Sequence, residues 1–235
     1  MIPMPNEKNA SISSPKMLGL LLWSLLPSAS IWVGMYMIKS AMWAYILYHG
    51  IFLLPAIIIG RDYWLPSCKK PKFKHIILIC AAAFIFSALT VAAYELFGQW
   101  VLRDSHVAEL LREQGMTPGN LILFGLYATI VNPLVEEIYW RGIVFNALDR
   151  LPYKHFAIIW SSITYALFHY LIFRLVLFPV CAEIGIVMLA LYGGILAVIY
   201  RRTGSIFTTA IAHGLWTDLA CIALLIDFYR RMPMN

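Results

Sequence analysis

Glu136 and Glu137, followed four residues later by Arg141, stand inside an apolar run from Leu121 to Leu148. Ionised side chains at membrane depth cost roughly 2.5–3.5 kcal/mol each even on a lenient insertion scale. Three within six residues require an enclosure of protein and water rather than lipid. On a helix, Glu137 and Arg141 share a face as an i,i+4 pair, and Glu136 is turned about 100° away from Glu137. One carboxylate is neutralised locally and the other is left to point elsewhere. Pro133, three residues before Glu136, removes a backbone donor and frees a carbonyl. The resulting kink is expected to open this helix beside the pair and admit water.

Two further polar stretches interrupt apolar runs: Tyr165 to His169, and His213-Gly214-Leu215-Trp216-Thr217-Asp218. At the helical rise, Glu136 lies about 15 Å, His169 about 20 Å and His213 about 12 Å from the same end of their helices. A glutamate and two histidines at one level of a bundle can converge on one site. A buried carboxylate and a histidine can share a proton and activate a water for attack on a carbonyl. A second histidine, with a neighbouring hydroxyl or amide, can hydrogen-bond the developing oxyanion. That is peptide hydrolysis without a covalent enzyme intermediate. The same three groups, Glu136, His169 and His213, could instead hold a divalent metal such as zinc that activates a bound water. The residues alone leave both versions open.

The elements that must position these groups are membrane helices. Of 235 residues, 61% are hydrophobic and 13% charged, where a soluble domain carries about 25% charged residues. The apolar runs have the length of a membrane-crossing helix and exceed that of a barrel strand. The expected fold is all-α: a polytopic bundle of seven spans at residues 17–38, 41–59, 75–97, 121–148, 156–173, 175–200 and 205–228. Arg174 interrupts the apolar character between the fifth and sixth spans. Ser105 to Glu113 reads as a short amphipathic helix on the membrane surface, stopped by Gly115. The chain then divides into a disordered tail (1–16), N-terminal spans with the surface helix (17–119), a core carrying the polar motifs (120–229) and a tail (230–235).

Twelve of the 18 Lys and Arg residues fall on the side of the basic 60–74 loop. The positive-inside rule places that side and the N-terminus in the cytoplasm and the C-terminus outside, with the site nearer the cytoplasm. The net charge of +6 therefore sets topology and does not mark a nucleic-acid partner. The four cysteines have no metal-ligand or disulfide spacing. His49 has no polar neighbour in the sequence and is expected to be structural.

Taken together, Glu136-Glu137-x-x-x-Arg141, Tyr165-x-x-x-His169 and His213 with its polar followers resemble, in order and spacing, the three motifs of the CAAX-protease and bacteriocin-processing (CPBP, Abi) family. The resemblance covers about residues 120–220 and implies a glutamate-type intramembrane endopeptidase. It makes Glu136 the catalytic base with His169 beside it activating water. It puts His213 in the oxyanion-stabilising position and makes Glu137 and Arg141 the supports of the site. Family members have also been described as metalloproteases, so the resemblance leaves metal dependence open. The chain departs from the family pattern twice. Tyr165 stands where Phe is usual, and Thr217 stands where Asn or Asp is usual, four residues after the histidine. Asp218 is one position further, about 100° off the His213 face.

The partners implied are a membrane-anchored or lipid-modified protein or peptide substrate and the bilayer itself, in a prokaryotic plasma membrane. An alternative of another class is a non-catalytic immunity or scaffold protein of the same fold, which the Thr217 departure favours. A proton-coupled transporter predicts inverted repeats, which the two halves lack, and neither His-Glu-x-x-His nor Gly-x-Ser occurs.

Overall fold

The computed structural model describes residues 14–102, 104–153 and 155–231. Residues 1–13 of the expected N-terminal tail and 232–235 of the C-terminal tail lie outside the described residues. The first helix begins at Ser14 and the last continues to Arg231.

Among the described residues seven helices are long and apolar enough to cross a membrane: Met17–Met37, Ala41–Ile59, Phe73–Val101, Gly119–Leu148, Phe156–Val176, Pro179–Thr203 and Ile206–Phe228. The surface helix is Asp104–Glu113, and Gly115, at φ +75°, follows it in the left-handed region that ends helices. The fold is an all-α polytopic bundle, as expected. Arg174 does not break the fifth span. It sits in that helix's last turn, where a cation complements the exposed carbonyls, and pairs with Glu183 at 3.6 Å. The break falls at Leu177-Phe178, and Pro179 opens the sixth span at a position where its missing N–H costs nothing.

Side-chain caps and cross-contacts gather the two ends of the bundle. At the basic end, Gly204 (φ +60°) closes the sixth span. Ser205 starts the seventh, its Oγ accepting from the Thr208 N–H at 3.2 Å and donating to the Lys69 carbonyl at 2.6 Å. Arg201 pairs with Asp149 across the same end. At the opposite end, the Ala41 N–H donates to the Gln114 carbonyl at 3.1 Å and the Phe178 N–H to the Val101 carbonyl at 3.0 Å. Thr117 and Asn120 there form a reciprocal capping box on the fourth span.

Five π-helical segments are present among the described residues: Trp32–Met37, Ile46–Leu53, Tyr127–Val131, Ile138–Phe145 and Gly214–Asp218. In a π turn the backbone bonds i to i+5, so residues five apart are stacked instead of those four apart. These segments lie in the first, second, fourth and seventh spans, and the last four of them flank the polar cluster described next. The apolar core beside it is aromatic: Trp140 stacks on Phe168 with centroids 6.2 Å apart, and Tyr48 lies 4.9 Å from Phe168.

Candidate active site

Glu137, Arg141 and His213 form one buried unit. Glu137 Oε1 lies 3.1 Å from Arg141 Nη1 and accepts from His213 Nδ1 at 3.1 Å. Arg141 Nη2 donates to the Gly193 carbonyl at 3.0 Å, and its guanidinium stacks over the Tyr165 ring at 5.0 Å. Glu137 and Arg141 are fully buried. Such a pair contributes little net stability, yet removing one partner leaves a bare charge in an apolar medium. The i,i+4 pairing read from the sequence is present, and it extends to a third residue on the seventh span.

Glu136 is equally enclosed, 2% exposed, but its Oε2 has no hydrogen-bond partner. Its surroundings are His213, whose Nε2 lies 3.9 Å from that oxygen, and Tyr48, which also interacts with it. Oε2 is without a hydrogen-bond partner in both carboxylates, and they differ in how they are held: Glu137 is tied through Oε1 to Arg141 and His213 at 3.1 Å, whereas Glu136 meets His213 only at 3.9 Å.

Spans four and seven meet so closely because of a proline and a glycine. Pro133 cannot bond back to the Thr129 carbonyl, four residues earlier. Gly214 packs against that freed oxygen, where a Cβ would come within 2.4 Å of it. The expected opening of the fourth span at Pro133 is thus not present. The seventh span fills it, and this contact carries His213 to the two glutamates.

Tyr165 donates its hydroxyl to His213 Nε2 or accepts from it, at 3.0 Å. This bond exists only because position 165 is Tyr; a Phe there has no hydroxyl to share. His169, one turn on, is half-buried. Its Nδ1 lies 3.0 Å from the Tyr165 carbonyl. A carbonyl only accepts, so Nδ1 carries the proton and Nε2 presents a lone pair. His169 rests on the Phe168 ring, with centroids 3.9 Å apart. The structure joins Glu136, Glu137, Arg141, Tyr165 and His213 into one cluster through His213 and Arg141, and it places His169 at the edge.

The third motif is rearranged. Thr217 Oγ1 donates to the His213 carbonyl at 3.0 Å, a backbone bond inside its own helix that leaves the imidazole untouched. Asp218 Oδ1 instead lies 3.6 Å from His213 Nε2, and Asn132 Nδ2 approaches Asp218 Oδ2 at 3.4 Å. The cause is the π turn at Gly214–Asp218, where the Leu219 N–H bonds to the Gly214 carbonyl. It swings the residue five positions after His213 onto the histidine's face. The 100° offset expected for Asp218 belongs to an α-helix, and this segment is not one.

Other participants carry no motif. Asn132 and Tyr48 are two. His49 is a third: its Nδ1 shares a 2.8 Å hydrogen bond with the Tyr127 hydroxyl, so it does have a polar companion, supplied by the fourth span. The sequence holds only a weak signal for these residues, polar side chains in otherwise apolar spans.

Among the described residues no group of three or more His, Cys, Asp or Glu is arranged to hold a metal ion. The set Glu136, His169 and His213 does not fit one as it stands, because both ring nitrogens of His213 are engaged by Glu137 and Tyr165. All four cysteines are free.

Residues 118–218 match the family described as Rce1-like: type II CAAX prenyl endopeptidase Rce1-like. No curated protein and no solved structure matches the chain. The matched segment begins at the first helical residue of the fourth span and ends at Asp218, so it contains every residue of the cluster except Tyr48 and His49. Seven helices of membrane-crossing length and apolarity among the described residues make the protein an integral multi-pass membrane protein, and its residues 118–218 are similar to the Rce1-like family of type II CAAX prenyl endopeptidases.

Proposed function

We propose that the protein is an intramembrane endopeptidase that hydrolyses a peptide bond of a membrane-anchored or lipid-modified protein by a water activated at Glu136. The observation that carries this reading is that Glu137 is already held by Arg141 and His213 at 3.1 Å, whereas the buried Glu136 beside it meets His213 only at 3.9 Å. Glu136 takes a proton from the water as its oxygen attacks the scissile carbonyl, and the proton passes to the leaving amine as the C–N bond breaks. His169, with its Nε2 lone pair, shares that water from the other side. His213, held by Glu137 at Nδ1, stabilises the oxyanion through the Tyr165 hydroxyl, which accepts from its Nε2 and donates onward. Asp218, Glu136 and Glu137 face two basic groups, Arg141 and His213. A cluster so composed retains a proton that can move within it.

The reading takes no metal, in keeping with a His213 whose nitrogens are both occupied. The non-catalytic alternative rested on Thr217, and it loses that support once Asp218 stands beside His213. The basic end, with Lys69, Lys70, Lys72, Lys74 and Arg201, faces the cytoplasm of a prokaryotic plasma membrane on the same reading.

The test is cleavage of a membrane-peptide library by the purified protein in detergent, beside Glu136→Gln, with elemental analysis. The expected result is cleavage that falls by about 10²–10⁴ in the variant and is insensitive to chelators. Stoichiometric metal lost on substituting His169 or His213 would move the mechanism to a metalloprotease. Equal cleavage by both proteins would end the assignment of Glu136.

A further inference from the structure

A cavity of about 660 Å³ lies between the second and fourth spans at the end of the bundle away from the basic loops, within the size range of small-ligand sites. Its wall is mostly apolar, with Met42, Ile46, Leu123 and Phe124, and its rim at Met42, Ile46 and Leu123 is exposed on the bundle surface. Its inner wall is formed by Tyr45, His49 and Tyr127. These aromatics are mutually packed, Tyr45 lying 5.2 Å from His49 and 5.6 Å from Tyr127. The wall backs on the polar cluster: Tyr45 and Tyr127 both feel the charge of Glu136, and His49 interacts with Asn132, the partner of Asp218.

Two polar atoms in this lining are buried without a well-formed hydrogen bond. Gln114 is 4% exposed, and its Nε2 donates to the Met35 carbonyl at 3.0 Å, which fixes the amide's orientation. Its Oε1 has no hydrogen-bond partner. His49 is 8% exposed, and with Nδ1 held by Tyr127 its Nε2 makes no hydrogen bond of good geometry, Asn132 being the polar group beside the ring. Each such group costs free energy until a ligand satisfies it. Gln114 Oε1 can only accept, so an occupant must bring an N–H or O–H donor into an otherwise apolar cavity. A bare hydrocarbon chain has no such donor. A peptide backbone has one at every residue, together with a carbonyl for His49.

We infer that this cavity is the site that seats an apolar peptide segment of the substrate next to the scissile bond, with Gln114 and His49 as its backbone hydrogen-bonding groups. The inference rests on the proteolytic reading for the word substrate, and on the cavity alone for the ligand's chemistry. It also moves substrate entry to the end opposite the basic loops, where the sequence had suggested an opening on the cytoplasmic side.

The experiment is photo-crosslinking of the full-length protein in detergent with two probes. One is a short Leu/Ala peptide carrying a central benzophenone amino acid, and the other is a diazirine-bearing palmitic acid. Gly50 lines the cavity and has open space where a Cβ would project, so Gly50→Phe fills it without a backbone clash. Gly19 has equally open surroundings outside the cavity, so Gly19→Phe controls for the added ring. Size-exclusion profiles confirm that each variant is folded.

The expected result is peptide labelling mapped to residues 40–50 and 114–127. It should be reduced about tenfold in Gly50→Phe and about five- to tenfold in Gln114→Leu, and unchanged in Gly19→Phe and in Glu136→Gln. Palmitate labelling equal to the peptide's and indifferent to Gln114→Leu would overturn the proposal in favour of a lipid-chain cavity. Peptide labelling outside these residues would overturn it as well. Labelling does not require turnover, so a labelled cavity in a protein that cleaves nothing upholds the site and sinks the protease. Cleavage with no labelling there does the reverse.

Discussion

The third and fourth spans are both long, apolar helices, yet they solve opposite problems. Phe73–Val101 buries only Ile79, Ala83 and Gly98 among its described side chains and turns Phe84, Ile85 and Leu89 outward. The fourth span buries every residue from Tyr139 to Phe145, with Glu136 and Glu137 just before them. The lipid-facing helix is a regular α-helix without an acidic or basic residue between His75 and Glu95. The enclosed one carries three ionisable groups and two π segments. Charge is tolerated at depth where other helices supply its partners, and irregular backbone is tolerated where those helices cover it.

The sharpest way to break this contrast is to remove a charge from the enclosed span. Arg141→Leu leaves Glu137 with only a histidine beside it, and unfolding in detergent should come about 3–5 kcal/mol earlier. An unchanged unfolding midpoint would mean that the pair is not buried as described. Next in size is Asp218→Ala, which should lower peptide cleavage about 10–100-fold, as expected for losing a buried carboxylate 3.6 Å from the catalytic histidine. Thr217→Ala should cost less than about tenfold, since its bond is to its own helix backbone. The reverse order would return the fourth role to Thr217 and remove the π turn from the account. Gly214→Ala forces a methyl onto the Thr129 carbonyl and should destabilise by about 1–3 kcal/mol, with cleavage falling as His213 is pushed away. Phe84→Leu, on the lipid-facing span, should change the unfolding midpoint by less than about 0.5 kcal/mol.

Much of the architecture was legible because it depends on quantities a sequence carries directly. Span length and apolarity give the seven helices. The pairing of Glu137 with Arg141 followed from α-helical spacing, and the shared depth of Glu136 and His213 from counting residues. What escaped were departures from that spacing. Asp218 was assigned to the wrong face because an α-helix was assumed through a segment that forms a π turn. Pro133 was expected to open a gap, but a donor lost in one helix became a docking point for Gly214 of another. His49 was read as isolated because its partner, Tyr127, lies on a different span. Each of these is a relation between helices, and local sequence does not encode which carbonyl a neighbouring helix will cover.

The central claim is a division of labour between two adjacent carboxylates, and it is tested most directly by comparing Glu136→Gln with Glu137→Gln in the same two assays. Glu136→Gln should abolish cleavage, by about 10²–10⁴, and leave the unfolding midpoint near that of the wild type. Glu137→Gln should lower stability by about 3–5 kcal/mol by stranding Arg141. Cleavage that survives in Glu136→Gln, or a stability loss confined to that variant, would contradict the division and the mechanism built on it.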